Sequence, residues 1–172
     1  MNESYEMLLK RRTIRAFRPD AIPDETLEKI LTAGKYAPSA MGMQNRHFTV
    51  IRNQDLLKDI VTATKKHGGK FRPGHTPFYN APCVIVLSAP ESFALNREDA
   101  ACALQNILLA AYALGLGGCY ICSVLPGLRD PAILARLSLP AGYAPYGCAS
   151  LGFPAEGAAE PKPRRTNDIT FL

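Results

Sequence analysis

The spacing of apolar residues changes several times along the chain, and each change marks an element. Met7, Leu8 and Leu9 give an apolar side after Ser4, a residue able to cap a helix, and basic residues follow where cations suit the helix dipole. The pattern predicts a helix ending near Arg11. From Asp24 to Tyr36 apolar residues recur at Leu27, Ile30, Leu31 and Ala33-Gly34 behind a Pro23-Asp24 start, which predicts an amphipathic helix closed by Ala37-Pro38-Ser39. His47 to Arg52, HFTVIR, is β-branched and aromatic and predicts a strand. Asn53 then caps a helix carrying Leu56, Leu57, Ile60 and Val61.

His67 to Asn80 holds three glycines and two prolines without apolar periodicity, so a long loop is predicted, and loops of this length in compact domains tend to be functional. It is a candidate lid. Cys83 to Ala89 is a continuous apolar run of strand length, and Asp99 to Leu114 is apolar almost all round, as in a helix buried on most sides. Gly115 to Gly118 closes that helix, CYICSV (Cys119 to Val124) predicts a short strand, Asp130-Pro131 a helix start, and Tyr146 to Phe153 a last strand. Pro154 to Arg165 is rich in Pro, Ala, Glu and basic residues and predicts a tail that crosses the surface before Ile169 to Leu172, of the kind that docks on a partner subunit. Helices and strands are interleaved without strict βαβ alternation and without internal repeats, which favours an α+β sandwich over a doubly wound fold.

At 172 residues and 47% hydrophobic content, the chain is long enough for one domain with a sizeable core and short for two. No apolar run approaches the ~20 residues of a membrane span, and the first dozen residues lack the apolar region of a secretory signal, so a cytoplasmic protein with no membrane association is expected. Cys83, Cys102, Cys119, Cys122 and Cys148 are an odd number scattered through apolar segments, which predicts reduced, mostly buried thiols. The net charge of +5 comes from 20 Lys plus Arg against 15 Asp plus Glu, too small an excess for a dedicated nucleic-acid binder. The basic residues nevertheless cluster at Lys10-Arg11-Arg12 with Arg15 and Arg18, and at Lys162 with Arg164-Arg165.

In Arg11-Arg12-Thr13-Ile14-Arg15, three guanidinium groups and a hydroxyl fall within five residues. Such groups repel one another unless an anion lies between them, and their planar forks match phosphate oxygens. Spacing alone leaves two readings level, a solvated basic face and a phosphate site. Lys162-Pro163-Arg164-Arg165 could add charge to the same anion, although alone it reads as a tail. Pro38 to Asn45 is a turn of small residues and amides, which alone reads as an ordinary loop but could approach a flat ring and hydrogen-bond its polar edge. Cys119 and Cys122 form Cys-x-x-Cys, but no second pair exists, and His47, His67 and His75 lack ligand spacing. No metal site follows, and two half-buried thiols are expected. No Gly-x-Ser-x-Gly elbow or glycine-rich nucleotide loop occurs.

Taken in order, these segments resemble the nitroreductase family. RRTIRAF is similar to its arginine signature; Pro23-Asp24-Glu25, APSAMGMQ, HFTVI, FYNAPCVIVL, DAACALQNILLAAYALGLGGCYI, LGFP and the basic tail follow in the family's order over nearly the whole chain. The resemblance implies a three-layer sandwich with a central, mainly antiparallel sheet flanked by helices, a C-terminal tail exchanged with the partner subunit, and an FMN-binding homodimer with active sites shared between chains. It implies Arg11 and Thr13 at the FMN phosphate, Arg12 at the ribityl-phosphate region, and Arg15 at the flavin pyrimidine edge. Pro38, Ser39, Ala40, Gly42 and Gln44 would approach the ring from the partner, Cys122 and Ser123 would lie over it, and Lys162 and Arg164 would close on the phosphate. NAD(P)H would be the electron donor, and a nitroaromatic, quinone or enone the acceptor. No side chain is read as a general acid, and Tyr79 and Arg46 are candidates for shaping the pocket. The chain departs from many relatives in carrying Gly42 for Asn and Asn45-Arg46 for Pro-Trp. Three alternatives remain: the same fold with dehalogenase, flavin-fragmenting or azoline-oxidase chemistry; a flavin-binding regulatory module; or a small nucleic-acid binder resting on the charge clusters alone.

Overall fold

The computed structural model describes residues 2–157, 160–166 and 168–172. The helices are α1 (Glu3–Lys10), α2 (Asp24–Lys35), α3 (Gln54–Lys66), α4 (Asn96–Ala113), α5 (Leu125–Leu128) and α6 (Pro131–Leu134). The strands are β1 (His47–Ile51), β2 (Cys83–Pro90), β3 (Gly117–Ile121) and β4 (Tyr143–Gly152). The strands form one antiparallel sheet in the order β1-β2-β4-β3. On one face α2 and α4 pack over Ile85, Leu87, Ala149 and Leu151; on the other α3, α5 and α6 pack over Val84, Val86, Ile121 and Cys148. Alternate residues of β2 and β4 therefore serve two separate cores, which makes three layers, as the α+β reading expected. The apolar run of β2 is buried because both of its faces are covered.

Several boundaries differ from the expectations. α1 is capped by Asn2, whose Oδ1 accepts from the Ser4 N–H at 2.8 Å, so Ser4 is inside the helix. Asn53 caps α3 as expected, accepting from the N–H groups of Asp55 and Leu56 at 3.0 Å each. α4 starts three residues before Asp99: the Asn96 amide donates to the Phe93 carbonyl at 2.6 Å and to the Tyr146 hydroxyl at 3.2 Å, so side-chain bonds hold a turn that apolar spacing does not show. The strand expected at Cys119 to Val124 begins at Gly117 and ends at Ile121. A Cβ on Gly117 would lie 2.5 Å from Ile14 Cγ1, and one on Gly118 2.5 Å from Leu108 Cδ2, so these glycines serve close packing in a strand rather than a helix stop. Beyond Ile121 the chain turns into α5, an element the apolar pattern does not mark. β4 starts three residues before Tyr146.

After α1 the chain runs beside the exposed edge of the sheet. Thr13 bridges Gly118 in parallel, with the Ile14 N–H donating to the Gly118 carbonyl at 3.0 Å. Phe17 pairs with Pro154, and the Arg18 N–H reaches the Phe153 carbonyl at 2.9 Å. This strap covers edge strand β3 and fixes where the arginine cluster lies.

Candidate cofactor site

The strap places Arg11, Arg12, Thr13 and Arg15 along β3. Arg11 and Arg12 are half-buried, and Thr13 and Arg15 are exposed. The Arg12 guanidinium donates to the Leu9 carbonyl, while its Nε is buried with no hydrogen-bond partner among the described residues. Burial first, and the Arg12 charge second, hold the Arg11 guanidinium below its ordinary value. Arginine does not deprotonate in proteins, so the cluster carries uncompensated positive charge. Among the described residues no ion pair involves Arg11, Arg12 or Arg15.

Arg15 reaches toward the sheet. Its guanidinium lies 5.8 Å from the centre of the Tyr79 ring, and its charge offsets in part the rise that burial imposes on the Cys119 thiol. Tyr79 holds a left-handed backbone (φ 56), uncommon for a bulky residue and found where the surroundings determine the conformation, and Asn80, a residue that tolerates it, follows at φ 53. The Tyr79 turn is anchored by Phe78, which is buried and whose carbonyl accepts from Ser150 Oγ at 3.0 Å; this half of the candidate lid is part of the core. Further along the same edge, burial first and the neighbouring Cys122 second push the Tyr120 phenol up to about 12, so it stays protonated. Cys122 and Ser123 are exposed just past the end of β3. The expectation of two half-buried thiols is corrected: Cys119 is buried inside the strand and Cys122 is exposed beyond it, both free, and Cys102 is exposed as well.

Pro38, Ser39, Ala40, Gly42 and Gln44 lie elsewhere. Ala40–Gly42 forms one 3-10 turn, and the Ala40 N–H donates to Asp99 Oδ1 at 2.9 Å at the start of α4. A cleft between Arg12, Ile14, Tyr112, Gly115 and Pro154 lies instead at the other end of α4. Thirteen residues of helix separate Asp99 from Tyr112, about 20 Å at 1.5 Å per residue. One protomer therefore does not bring the two halves of the expected site together. Lys162 and Arg164 lie exposed in the tail, with no hydrogen bond or ion pair among the described residues. Tyr120, beside Cys122, and Asp99, which holds the Ala40 N–H, are neighbours of the expected site residues that sequence reasoning did not single out. Asp99 carries a partial signal, as an acid within an apolar helical run; Tyr120 carries none.

No cluster of His, Cys, Asp or Glu suited to a metal ion exists among the described residues, and none of their helices is long and apolar enough to cross a membrane. A groove of about 360 Å³ between α3 and the 67–80 loop, lined in part by Leu57, Lys58, Lys65 and His75, contains none of the expected site residues.

The model of the nitroreductase family matches residues 8–153, spanning the strap, both cores and all four strands. The chain belongs to the nitroreductase family. Among solved nitroreductases, one from Bacteroides fragilis with bound FMN is 32% identical, with all of both chains covered and a TM-score of 0.88. Another from Desulfitobacterium hafniense, also with bound FMN, is 27% identical over 100% of this chain and 99% of its own, with a TM-score of 0.89. An oxygen-insensitive NADPH nitroreductase of Salmonella typhimurium is 27% identical over 95% of this chain and 70% of its own.

Proposed function

We propose that this chain is an FMN-dependent oxidoreductase that works as a homodimer and passes electrons from NAD(P)H to an electron-poor small molecule, a nitroaromatic, quinone or enone. The observation that carries the reading is the arginine strap, in which Arg11, Arg12 and Arg15 have no counter-ion among the described residues, in a chain matched end to end by nitroreductases that hold FMN. The residues fit the group. Arg11 and the Thr13 hydroxyl supply donors for a phosphate, and a phosphate dianion relieves the repulsion between Arg11 and Arg12. Arg12 serves the ribityl-phosphate region.

When bound, FMN supplies the two-electron chemistry, taking hydride from NAD(P)H and releasing the electrons to the acceptor in ping-pong order, with negative charge gathering at its N1 and O2 edge. Arg15 serves that edge in this reading, where a fixed guanidinium would stabilise the reduced form and raise its potential. Cys122 and Ser123 face the ring from the end of β3. Pro38, Ser39, Ala40, Gly42 and Gln44 close it from the partner subunit, which accounts for their separation from the strap by most of the length of α4. Lys162 and Arg164 join the phosphate when the exchanged tail docks.

Purified protein is expected to be yellow with flavin absorbance, and replacing Arg11 and Arg15 together by alanine is expected to release the flavin. Full FMN occupancy in that double variant refutes the site. Steady-state oxidation of NADH and NADPH with menadione tests the enzyme reading, and a holoprotein that neither nicotinamide reduces refutes it.

A further inference from the structure

The loop that the proposed function places over the flavin is under unusual backbone stress. Met41 (φ 54), Gly42 (φ 64) and Gln44 (φ 50) all adopt left-handed angles within four residues, and only one of them is glycine. Such conformations persist when the surroundings impose them. Two anchors are on the loop itself: the Ala40 N–H donates to Asp99 Oδ1, and the Gln44 N–H donates to Ser39 Oγ at 3.0 Å. The third lies outside it. The half-buried Arg46 guanidinium donates through Nη1 to the carbonyls of Pro38 at 3.0 Å and Asp99 at 3.3 Å, and through Nη2 to those of Ala37 at 2.9 Å and Lys35 at 3.4 Å.

These carbonyls belong to three different pieces of chain: the C-terminal end of α2, the start of the loop, and the first turn of α4. Lys35 closes α2, where the last carbonyls of a helix lack intrahelical partners and attract cations. The Asp99 residue that offers its backbone oxygen to Arg46 also holds Ala40 through its carboxylate, so guanidinium and carboxylate grip the first half of the loop together, at the carbonyls of Ala37 and Pro38 and at the Ala40 N–H. A rigid planar fork reaches four acceptors in one geometry; a lysine ammonium does not.

We infer that Arg46 is the positioning residue of the flavin-facing loop, its guanidinium gathering the carbonyls of Lys35, Ala37, Pro38 and Asp99 so that Pro38–Gln44 is held in one conformation against the isoalloxazine. The inference rests on the proposed FMN site but concerns a separate property. The arginine strap supplies most of the affinity, whereas Arg46 sets the shape of the acceptor-side wall. Charge-assisted bonds to backbone oxygens are lost in Arg46→Ala, and the loop can leave its left-handed conformation.

The test uses the FMN-loaded protein with menadione as acceptor. Arg46→Ala is expected to weaken FMN binding about tenfold, the size of effect that losing hydrogen bonds to a charged group produces. It is expected to change the visible circular dichroism of the bound flavin. It is also expected to raise the KM for menadione about fivefold or more with kcat altered less than about twofold, the signature of lost binding rather than lost chemistry. Arg46→Lys is expected to fall between variant and wild type on all three readouts. Arg136→Ala, which breaks only the pair with Asp59 outside the site, is expected to leave them unchanged. If Arg46→Ala does not fold, Arg46→Lys and Asp99→Asn take its place, and both are expected to move the dichroism and KM in the same direction. Folded variants with wild-type FMN affinity, dichroism and KM overturn the role of Arg46 while leaving the FMN site intact. A wild-type protein that binds no FMN overturns the site itself, and the role of Arg46 with it.

Discussion

Ile14 and Gly117 show how a single contact positions the arginine strap. The strap is held on β3 by the bond from Ile14 to Gly118 and by the Ile14 side chain filling the space that a Cβ on Gly117 would occupy; that Cβ would lie 2.5 Å from Ile14 Cγ1 and 2.6 Å from Ile14 Cβ. Gly117→Ala is therefore expected to push the strap outward at a cost of roughly 1–3 kcal/mol, as for other overpacked sites. Because Arg15 is the residue after Ile14, FMN affinity should fall along with the melting temperature. Thermal denaturation and flavin titration of the same variant check both, and a variant with lowered stability but full affinity would show that the arginines do not depend on this seating. A glycine pair after a helix is legible in the sequence as a stop signal. Its use as a packing surface for Ile14 is not, because the contact joins residues more than a hundred positions apart.

The link between α3 and α6 is a second device. Asp130 caps α6 through the Ala132 N–H at 2.9 Å and also accepts from His67 Nε2 at 2.8 Å and Lys66 Nζ at 3.2 Å at the end of α3. The His67 hydrogen bond first, then the backbone bond from Ala132, lower the Asp130 carboxyl from its ordinary 3.8 to about 2. A carboxyl depressed on folding contributes stability that is present above its unfolded value and disappears as pH falls through the folded one. The melting temperatures of wild type and Asp130→Ala should thus differ by a constant amount above about pH 5 and converge between about pH 4 and pH 2. A difference that persists unchanged at pH 2 would contradict the carboxylate's part in it. For α3 itself, Asn53→Ala removes two cap bonds and is expected to cost about 1 kcal/mol in chemical denaturation. The start signals at Asn53 and Asp130 are local and were readable from the chain. The early start of α4 was not, since Asn96 is held by Tyr146, fifty residues away.

Across the molecule, several large apolar side chains stand exposed. Tyr5, Leu8 and Leu9 on α1 are each about half exposed, Met41 is 81% exposed, and Phe171 is 93% exposed at the end of the tail. With the length of α4 that separates the proposed halves of the site, these side chains support the proposed dimer in which each protomer closes the other's pocket. Light scattering on the holoprotein is expected to give a dimer mass, and a stable monomer that keeps FMN would contradict the shared site.

Local chemistry along the chain was sufficient for most of the element types, though not for α5, and for the central buried strand, the amphipathic helices and the arginine cluster as a phosphate candidate, because periodicity and caps act over a few residues; the order of segments was legible only as a family resemblance. Folding added what depends on distant contacts. It laid the strap on β3, sank Cys119 while leaving Cys122 exposed, carried Pro38–Gln44 to the far end of α4, and turned Arg46 from a departure in a motif into a clamp on four carbonyls. None of these follows from neighbours in sequence. Each arises where two cores, one on either face of a four-stranded sheet, bring remote backbone groups within hydrogen-bonding distance.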